Sequence, residues 1–307
     1  MKQVIYRFLR FSEKYLKTDM VYIAKGSFWM TIGQGIAVLS SLFLSIVLAR
    51  TISQELYGDY KFILSLAGII GGLSLSGLGS SLTQAVAKGN NGTVYESFKT
   101  QLIWGSLLSI VSLGASLYYF LNDHINFAIA FIIVSLTLPI TNSFSLYGAF
   151  LSGMKDFKRS TIYWIITQLI NVITISIVAI YNPNIILLIG AYFGSTFILS
   201  IIFYIRVIRL YKPDPNTNDS SMIKYGHHLS IMGFIGTIAN QVDKILLFHF
   251  IGSAPLAVYS FANAIPEQAR SFFKNIFNIG FPKFAELEEI KLRKSITDKI
   301  IRLTAIS

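Results

Sequence analysis

The chain contains no cysteine, which excludes disulfide staples and thiolate metal sites. Charge is scarce too: Asp, Glu, Lys and Arg make up 13% of the 307 residues, against about 25% in an ordinary soluble domain. Acids are the scarcer sign, 15 against 26 Lys and Arg. The phosphate-loop pattern GxxxxGK followed by Ser or Thr is missing, so nothing points to direct ATP hydrolysis. The opening stretch MKQVIYRFLRFSEKYLKTD lacks the uninterrupted apolar core and small-residue cleavage site of a signal peptide and is expected to be retained. His124, His227, His228 and His249 have no partners that would make a ligand set, so neither a metal nor another cofactor is expected.

What the chain has instead is apolar bulk: 53% of it is hydrophobic, with 24 Phe and 16 Tyr. That composition suits helices facing acyl chains with aromatic flanks at headgroup level. A span needs about 20 predominantly apolar residues. Such stretches run from Gly26 to Ala49, Phe62 to Ala87, Leu102 to Leu121, Phe127 to Leu151, Ile162 to Tyr181, Ile185 to Ile205, His228 to Ile251 and Leu256 to Phe281. The fold class is therefore all-α, a polytopic transmembrane helical bundle. Residues 1–24 form an amphipathic segment, with Val4, Ile5, Phe8 and Leu9 against Lys2, Arg7, Arg10 and Lys14, suited to an anionic lipid surface. Residues 25–211 hold six spans, 212–224 (KPDPNTNDSSMIK) read as a linker, and 225–307 begin a second group. The sequence stops at KIIRLTAIS, where another apolar stretch is starting, so the second group is expected to be cut short.

The formal charge of +11 is distributed in turns rather than along one stripe, which disfavours nucleic acid as a partner. Lys88 and Lys99, then Lys155, Lys158 and Arg159, then Arg206, Arg209, Lys212 and Lys224 mark alternate turns, whereas 122–126, 181–184 and 252–255 contain no Lys or Arg. By the positive-inside rule the N-terminus and the basic turns are cytoplasmic. On that side the sequons at Asn91 and Asn218 are chance matches. A weak repeat at an offset of about 199 sets Lys25 opposite Lys224, Ile52 opposite Ile251, and Tyr60 and Phe62 opposite Tyr259 and Phe261.

In the six spans before the linker no acid or base is expected well inside the membrane, with Arg50 and Lys61 flanking the first outer turn. Neutral polar residues recur there on helix faces: Ser27, Thr31, Gln34, Ser41 and Ser45, then Trp164, Gln168 and Asn171, with Gly68 and Gly72 as small contacts. They fit close helix packing, or the wall of a wet cavity. After the linker come Asp243 and Lys244 in one span and Glu267, Arg270 and Lys274 in the next. Each charge near a helix centre costs roughly 2.5–3.5 kcal/mol, so such residues face a cavity or a partner. Asn263, Glu267, Arg270, Lys274 and Asn278 share one face by their spacing. Two readings stay open: internal pairing, with Glu267 on Arg270 and Asp243 on a neighbouring cation, or a basic surplus that binds an anionic ligand. Pro266 can kink this helix.

With those residues placed, the chain resembles the oligosaccharide flippases of polysaccharide synthesis, within the superfamily of multidrug, oligosaccharidyl-lipid and polysaccharide exporters. The likeness rests on LARTISQELYGDYKF, on NQVDKILLFHFIGSAPLAVYSFANAI and on the basic turn GMKDFKRS. It implies a two-lobe exporter fold with the second lobe truncated here, opening alternately to each side of a bacterial inner membrane. It implies undecaprenyl-diphosphate-linked oligosaccharide as cargo, with Arg270, Lys274 and Lys244 attracting the diphosphate and Asn263 and Asn278 beside them. Asp243 and Glu267 are the carboxylates available for ion coupling. Membrane lipid, a polysaccharide polymerase and a chain-length regulator are the partners that follow. The rival within the superfamily is a cation-coupled multidrug exporter, and basic rather than acidic spans argue against it. A peptidoglycan-precursor flippase would show an arginine cluster in the first lobe. A membrane glycosyltransferase or polymerase would need catalytic acids and bases on a sizeable loop, and the outer turns are short. A scaffold would tolerate loss of the charges in the last span.

Overall fold

The structure is a computed structural model that describes residues 20–264, 266 and 267. Among these residues all regular structure is helical: α1 (Met20–Thr51), α2 (Gln54–Gly72), α3 (Gly77–Ala87), α4 (Thr93–Leu121), α5 (Ile125–Phe144), α6 (Leu146–Gly153), α7 (Phe157–Tyr181), α8 (Ile185–Tyr211), α9 (Ser220–Ala239) and α10 (Val242–Ile251). Residues 253–264 form a further helix, α11. Six apolar helices or helix pairs are long enough to cross a membrane, and α2 with α3 makes a seventh, broken span bent by 53°. The expected eighth span lies partly outside the described residues, and the amphipathic segment wholly outside them.

Turn chemistry sets where the helices start. Ser53 accepts from Leu56 N at 3.2 Å, Asp156 from Arg159 N at 3.0 Å, Asn184 from Ile186 N at 2.8 Å and Asp219 from Ser221 N at 3.1 Å, each satisfying a donor of the first turn that has no intrahelical partner. Helices also extend past their apolar runs. α2 begins at Gln54, not near Phe62, and α4 at Thr93, not Leu102. Lys61 is thereby moved from the expected turn flank to a position two turns inside α2.

Among the described residues two large clusters make most of the core. One gathers Phe62, Ile63, Phe131, Val134, Ile175 and Leu188; the other gathers Leu82, Phe150, Leu151, Tyr163 and Phe203. Large apolar side chains also cover the outside, among them Phe43 (55% exposed), Ile110 (65%) and Leu136 (65%). An exterior of that kind belongs against acyl chains. Where lipid is as apolar as the side chains, small residues and buried hydroxyls join helices. Ser109, Ser112 and Ser116 on one face of α4 donate to the carbonyls of Ser135 (2.8 Å), Phe131 (3.0 Å) and Ala128 (2.8 Å) on α5.

The helices after 219 pack on the broken span. Near the basic turns α9 crosses α3 where Gly77 meets Gly226: a Cβ on Gly77 would lie 2.5 Å from the Gly226 oxygen, so the backbones touch directly. Gly77 N donates to Ser230 Oγ at 2.9 Å across this crossing. Towards the other end Phe62 stacks on Phe248 (3.9 Å between ring centres) and Tyr57 on Phe261 (4.2 Å).

Residues 212–219, expected as a polar linker reaching to 224, are a docked strap, and α9 already begins at Ser220. Thr217 Oγ1 donates to Asn91 Oδ1 (2.7 Å) and accepts from Gly92 N (3.0 Å). Asp219 N donates to Thr93 Oγ1 (3.0 Å), and Tyr95 Oη to the Pro213 carbonyl (3.3 Å). Asn91 and Asn218, the two sequon asparagines, both serve this seam, Asn218 donating to Glu96. The repeat has a matching outline: α1 ends at Thr51 and α10 at Ile251, and the next helix starts at Gln54 and at 253 respectively.

Candidate functional site

Gln241, at the break between α9 and α10, lies against Gly68 of α2, and a cavity of about 600 Å³ reaches from there to the break in the α2–α3 span. Lys61 and Gly68 of α2, Gln101 of α4, Asn142 of α5, Tyr192 of α8 and Lys244 of α10 are on its wall. Backbone capacity freed at a break is tolerated inside a membrane where it lines a cavity. The wall mixes apolar residues with neutral hydrogen-bonding ones, Gln101, Asn142 and Gln241 contributing amides and Ser65, Ser74 and Ser145 hydroxyls. Gln101 is 3% exposed and its Oε1 has no hydrogen-bond partner.

Charge enters through two ammonium groups. Lys244, its side chain 13% exposed, donates to Glu267 Oε1 at 2.7 Å. Lys61 sits 5.3 Å from the centre of the Tyr57 ring, and interacts electrostatically with both Lys244 and Glu267. Among the described residues no carboxylate comes within ion-pair distance of Lys61, so two cations face one anion. A smaller recess of about 180 Å³ continues from Lys61 between α1, α2, α7 and α8, with Ser45, Gln168, Asn171 and Glu267 on its wall.

Of the residues expected from the sequence, Lys244 lies on the cavity wall and Glu267 beside it. Glu267 pairs with Lys244 from another helix, and the pairing with Arg270 that the sequence left open involves a residue outside the described ones. Asp243 points elsewhere: its carboxylate accepts from the Tyr259 hydroxyl and from the Lys244 amide (2.9 Å), and Tyr259 also meets Asn263. Asp243 and Asn263 therefore form a separate cluster. Arg270, Lys274 and Asn278 lie outside the described residues.

Lys61 is the residue the sequence reading missed: read as a flank of the first outer turn, it lies within α2 and on the cavity wall. The signal was there: Ser53 can cap a helix whose third turn holds Lys61. The neutral faces divide between both expected roles. Asn171 joins α7 to α8 through Thr196 (3.1 Å) and Ser195, while Ser41, Ser45 and Gln168 line the recess. Gly72 approaches Thr237 of α9, as a small contact residue should.

At the basic end, Asp156 accepts from the Arg159 guanidinium (2.5 Å) and the Tyr211 hydroxyl (2.5 Å). Burial alone would raise its carboxyl, but the hydrogen bonds from Tyr211 and from the Arg159 amide and side chain outweigh that and hold it below its ordinary value.

Residues 23–288 match the family described as Polysaccharide biosynthesis protein. No curated protein matches the chain. Among solved structures, a MATE in complex with Br-NRF is similar over 93% of this chain and 74% of its own, with 18% identity and a TM-score of 0.70. A multidrug resistance MATE family transporter of the MOP superfamily, in an outward-facing conformation, is similar over 93% and 70%, with 17% identity and a TM-score of 0.68. A MOP superfamily transporter from Pyrococcus furiosus, described as having a binding pocket of reverse polarity that suggests a different function, is similar over 92% and 67%, with 16% identity and a TM-score of 0.66. At these identities the likeness establishes the fold, a multi-pass membrane bundle of the MOP type.

Proposed function

The chain belongs to the polysaccharide biosynthesis protein family, and from that premise we propose that it carries an undecaprenyl-diphosphate-linked oligosaccharide across a bacterial inner membrane by alternating access. The observation that carries this reading is the cavity of about 600 Å³ with Lys61 and Lys244 on its wall. Ammonium groups in a low-dielectric surround favour a diphosphate, and hydrogen bonds to a charged partner contribute about 1.5–3 kcal/mol each. The neutral amides beside them suit sugar hydroxyls. Gln101 Oε1, buried and unpartnered, is the first acceptor such a hydroxyl would meet. Glu267 competes with the cargo for Lys244, so loading replaces one anion with another and leaves the carboxylate free to take up a proton. That exchange gives a physical route to ion coupling. Arg270 and Lys274, which their spacing in the sequence sets on one face with Asn263 and Asn278, remain candidates for the diphosphate.

A cation-coupled multidrug exporter shares the fold. Two cations against one anion disfavour cationic drugs, and pocket polarity is also what is said to set the Pyrococcus furiosus transporter apart. The basic turns favour a cytoplasmic N-terminus by the positive-inside rule, the side from which a cytoplasmic precursor would have to leave. Polysaccharide polymerase and chain-length regulator are the partners this role implies.

The test is flipping of a lipid-linked oligosaccharide in proteoliposomes. The Lys61→Gln, Lys244→Gln double variant should flip at least about tenfold more slowly, the loss expected from even one charged hydrogen bond. Unchanged flipping by a folded double variant, or tighter binding of a lipophilic cation than of inorganic diphosphate by the native chain, refutes the reading.

A further inference from the structure

A second pocket of about 340 Å³ lies on the opposite side of the helix break from the polar cavity, between α4, α9 and the segment Leu73–Ser76. Its wall is apolar: Leu73, Trp104, Ile231 and Phe234 dominate it. It belongs to the lipid-facing exterior, since Trp104 is 41% exposed, Ile231 71%, and neighbouring Met232 and Ile235 are 65% and 70% exposed. Ser74 and Leu75 line both this pocket and the polar cavity, so the two spaces share one wall.

An unbroken helix there would interpose a cylinder about 10 Å across with its side chains. The break removes it. Leu73 N turns back to Ile70 O and Ser74 N to Gly71 O, both at 3.0 Å, after which a short non-helical turn, with Ser76 N on Ser74 O at 2.7 Å, leads to Gly77. A molecule with a polar head and a greasy tail can therefore lie across the break with each part in matching surroundings. One polar atom in the apolar pocket has no partner: His227 Nε2 is buried, with its ring 5.7 Å from that of Trp104.

We propose that this pocket is the seat of the cargo's polyprenyl tail, holding the isoprene units next to the diphosphate while the head occupies the polar cavity. The proposal rests on the function proposed above and adds the route of the tail: past Ser74 and Leu75, between Trp104 and Ile231, and out to the bilayer. His227 Nε2 then meets the oxygen that joins head to tail. Each pocket alone is of ordinary ligand-site size, about 300–1,000 Å³; the shared wall is what selects an amphiphile.

The experiment uses the full chain in neutral phosphatidylcholine nanodiscs with three probes. These are a polyprenyl diphosphate carrying a diazirine on its first isoprene, phosphatidylcholine carrying a diazirine in its acyl chain, and inorganic diphosphate. The prenyl probe should label peptides around Trp104 and Ile231 several-fold above the rest of the lipid-facing surface. Ile231→Trp, which fills the pocket, should abolish that excess and leave inorganic diphosphate binding unchanged; Ile231→Phe gives the same sign should the larger side chain unfold the protein. Labelling spread evenly over the exterior overturns the proposal, as does equal labelling of the pocket by the phosphatidylcholine probe, which marks a general lipid groove. Loss of inorganic diphosphate binding is a different failure: if the native chain does not bind it, or the Lys61→Gln, Lys244→Gln variant binds it as well, the head-group reading falls whatever the tail does.

Discussion

Gly77→Ala asks whether the crossing of α3 and α9 is as tight as backbone contact requires. A Cβ at Gly77 would sit 2.5 Å from the Gly226 oxygen, 2.6 Å from the Leu229 Cβ and 2.6 Å from Ser230 N. None of these atoms is the far end of a flexible side chain, so α9 has to move off by about 1 Å to restore ordinary contact. Overpacking of this kind costs about 1–3 kcal/mol, and moving α9 also stretches the Gly77 N to Ser230 Oγ bond of 2.9 Å, worth roughly 1 kcal/mol. The gain from replacing glycine in a helix is about 0.5–1 kcal/mol at most. The net expectation is a loss of roughly 1–3 kcal/mol. Gly79→Ala is the internal control, because its Cβ would meet only the Ala149 Cβ at 3.9 Å, and it should be neutral or slightly stabilising. Thermal unfolding of both variants in the same detergent, followed by tryptophan fluorescence, measures the difference. Equal melting of Gly77→Ala and Gly79→Ala would refute the reasoning, since it would mean that α9 does not rest on α3 at this point.

Glu267→Gln should raise affinity for inorganic diphosphate, measured by calorimetry, because it frees Lys244; stability should change by no more than about 1 kcal/mol, as befits a half-exposed partner. Phe62→Ala should destabilise by about 3–5 kcal/mol in chemical unfolding, since the ring is 4% exposed and stacked on Phe248. Asp156 has a depressed carboxyl, so its contribution is complete above the ordinary value of about 3.9 and is lost as pH falls through the lower folded value. Asp156→Asn, which keeps a capping oxygen, should flatten that acid limb of the stability profile, whereas Asp156→Ala should also cost about 1 kcal/mol at neutral pH. As the chain has no cysteine of its own, Asn182→Cys should react with an impermeant maleimide in intact cells and Lys88→Cys only after permeabilisation; the reverse pattern would invert the topology.

The spans were legible because a membrane demands long apolar runs, and the runs from Ile162 to Tyr181 and from Ile185 to Ile205 fall inside α7 and α8. Their ends were less so, because polar first turns such as TVYESFKT extend α4 beyond the apolar run, and no side-chain cap at Gly92 marks where it starts. The same effect hid Lys61, which reads as a turn flank until Ser53 is recognised as the cap. Lys244 was legible as a charge within an apolar run, but its neighbour Asp243 was not separable from it: adjacent helical residues point about 100° apart, and only packing decides which one meets the cavity. The break at Leu73–Ser76 left little trace, since the residues around it, GGLSLSG, are as apolar and small as those of an intact membrane helix.

The strap at 212–219 has a mechanical consequence. Moored to Asn91, Gly92 and Thr93 by both backbone and side chains, it offers no slack between the helices on either side of it. Under the alternating access proposed above, the moorings would act as a fulcrum at the basic end, and the aromatic latch of Phe62 on Phe248, far along the lever, would be the contact under the greatest strain.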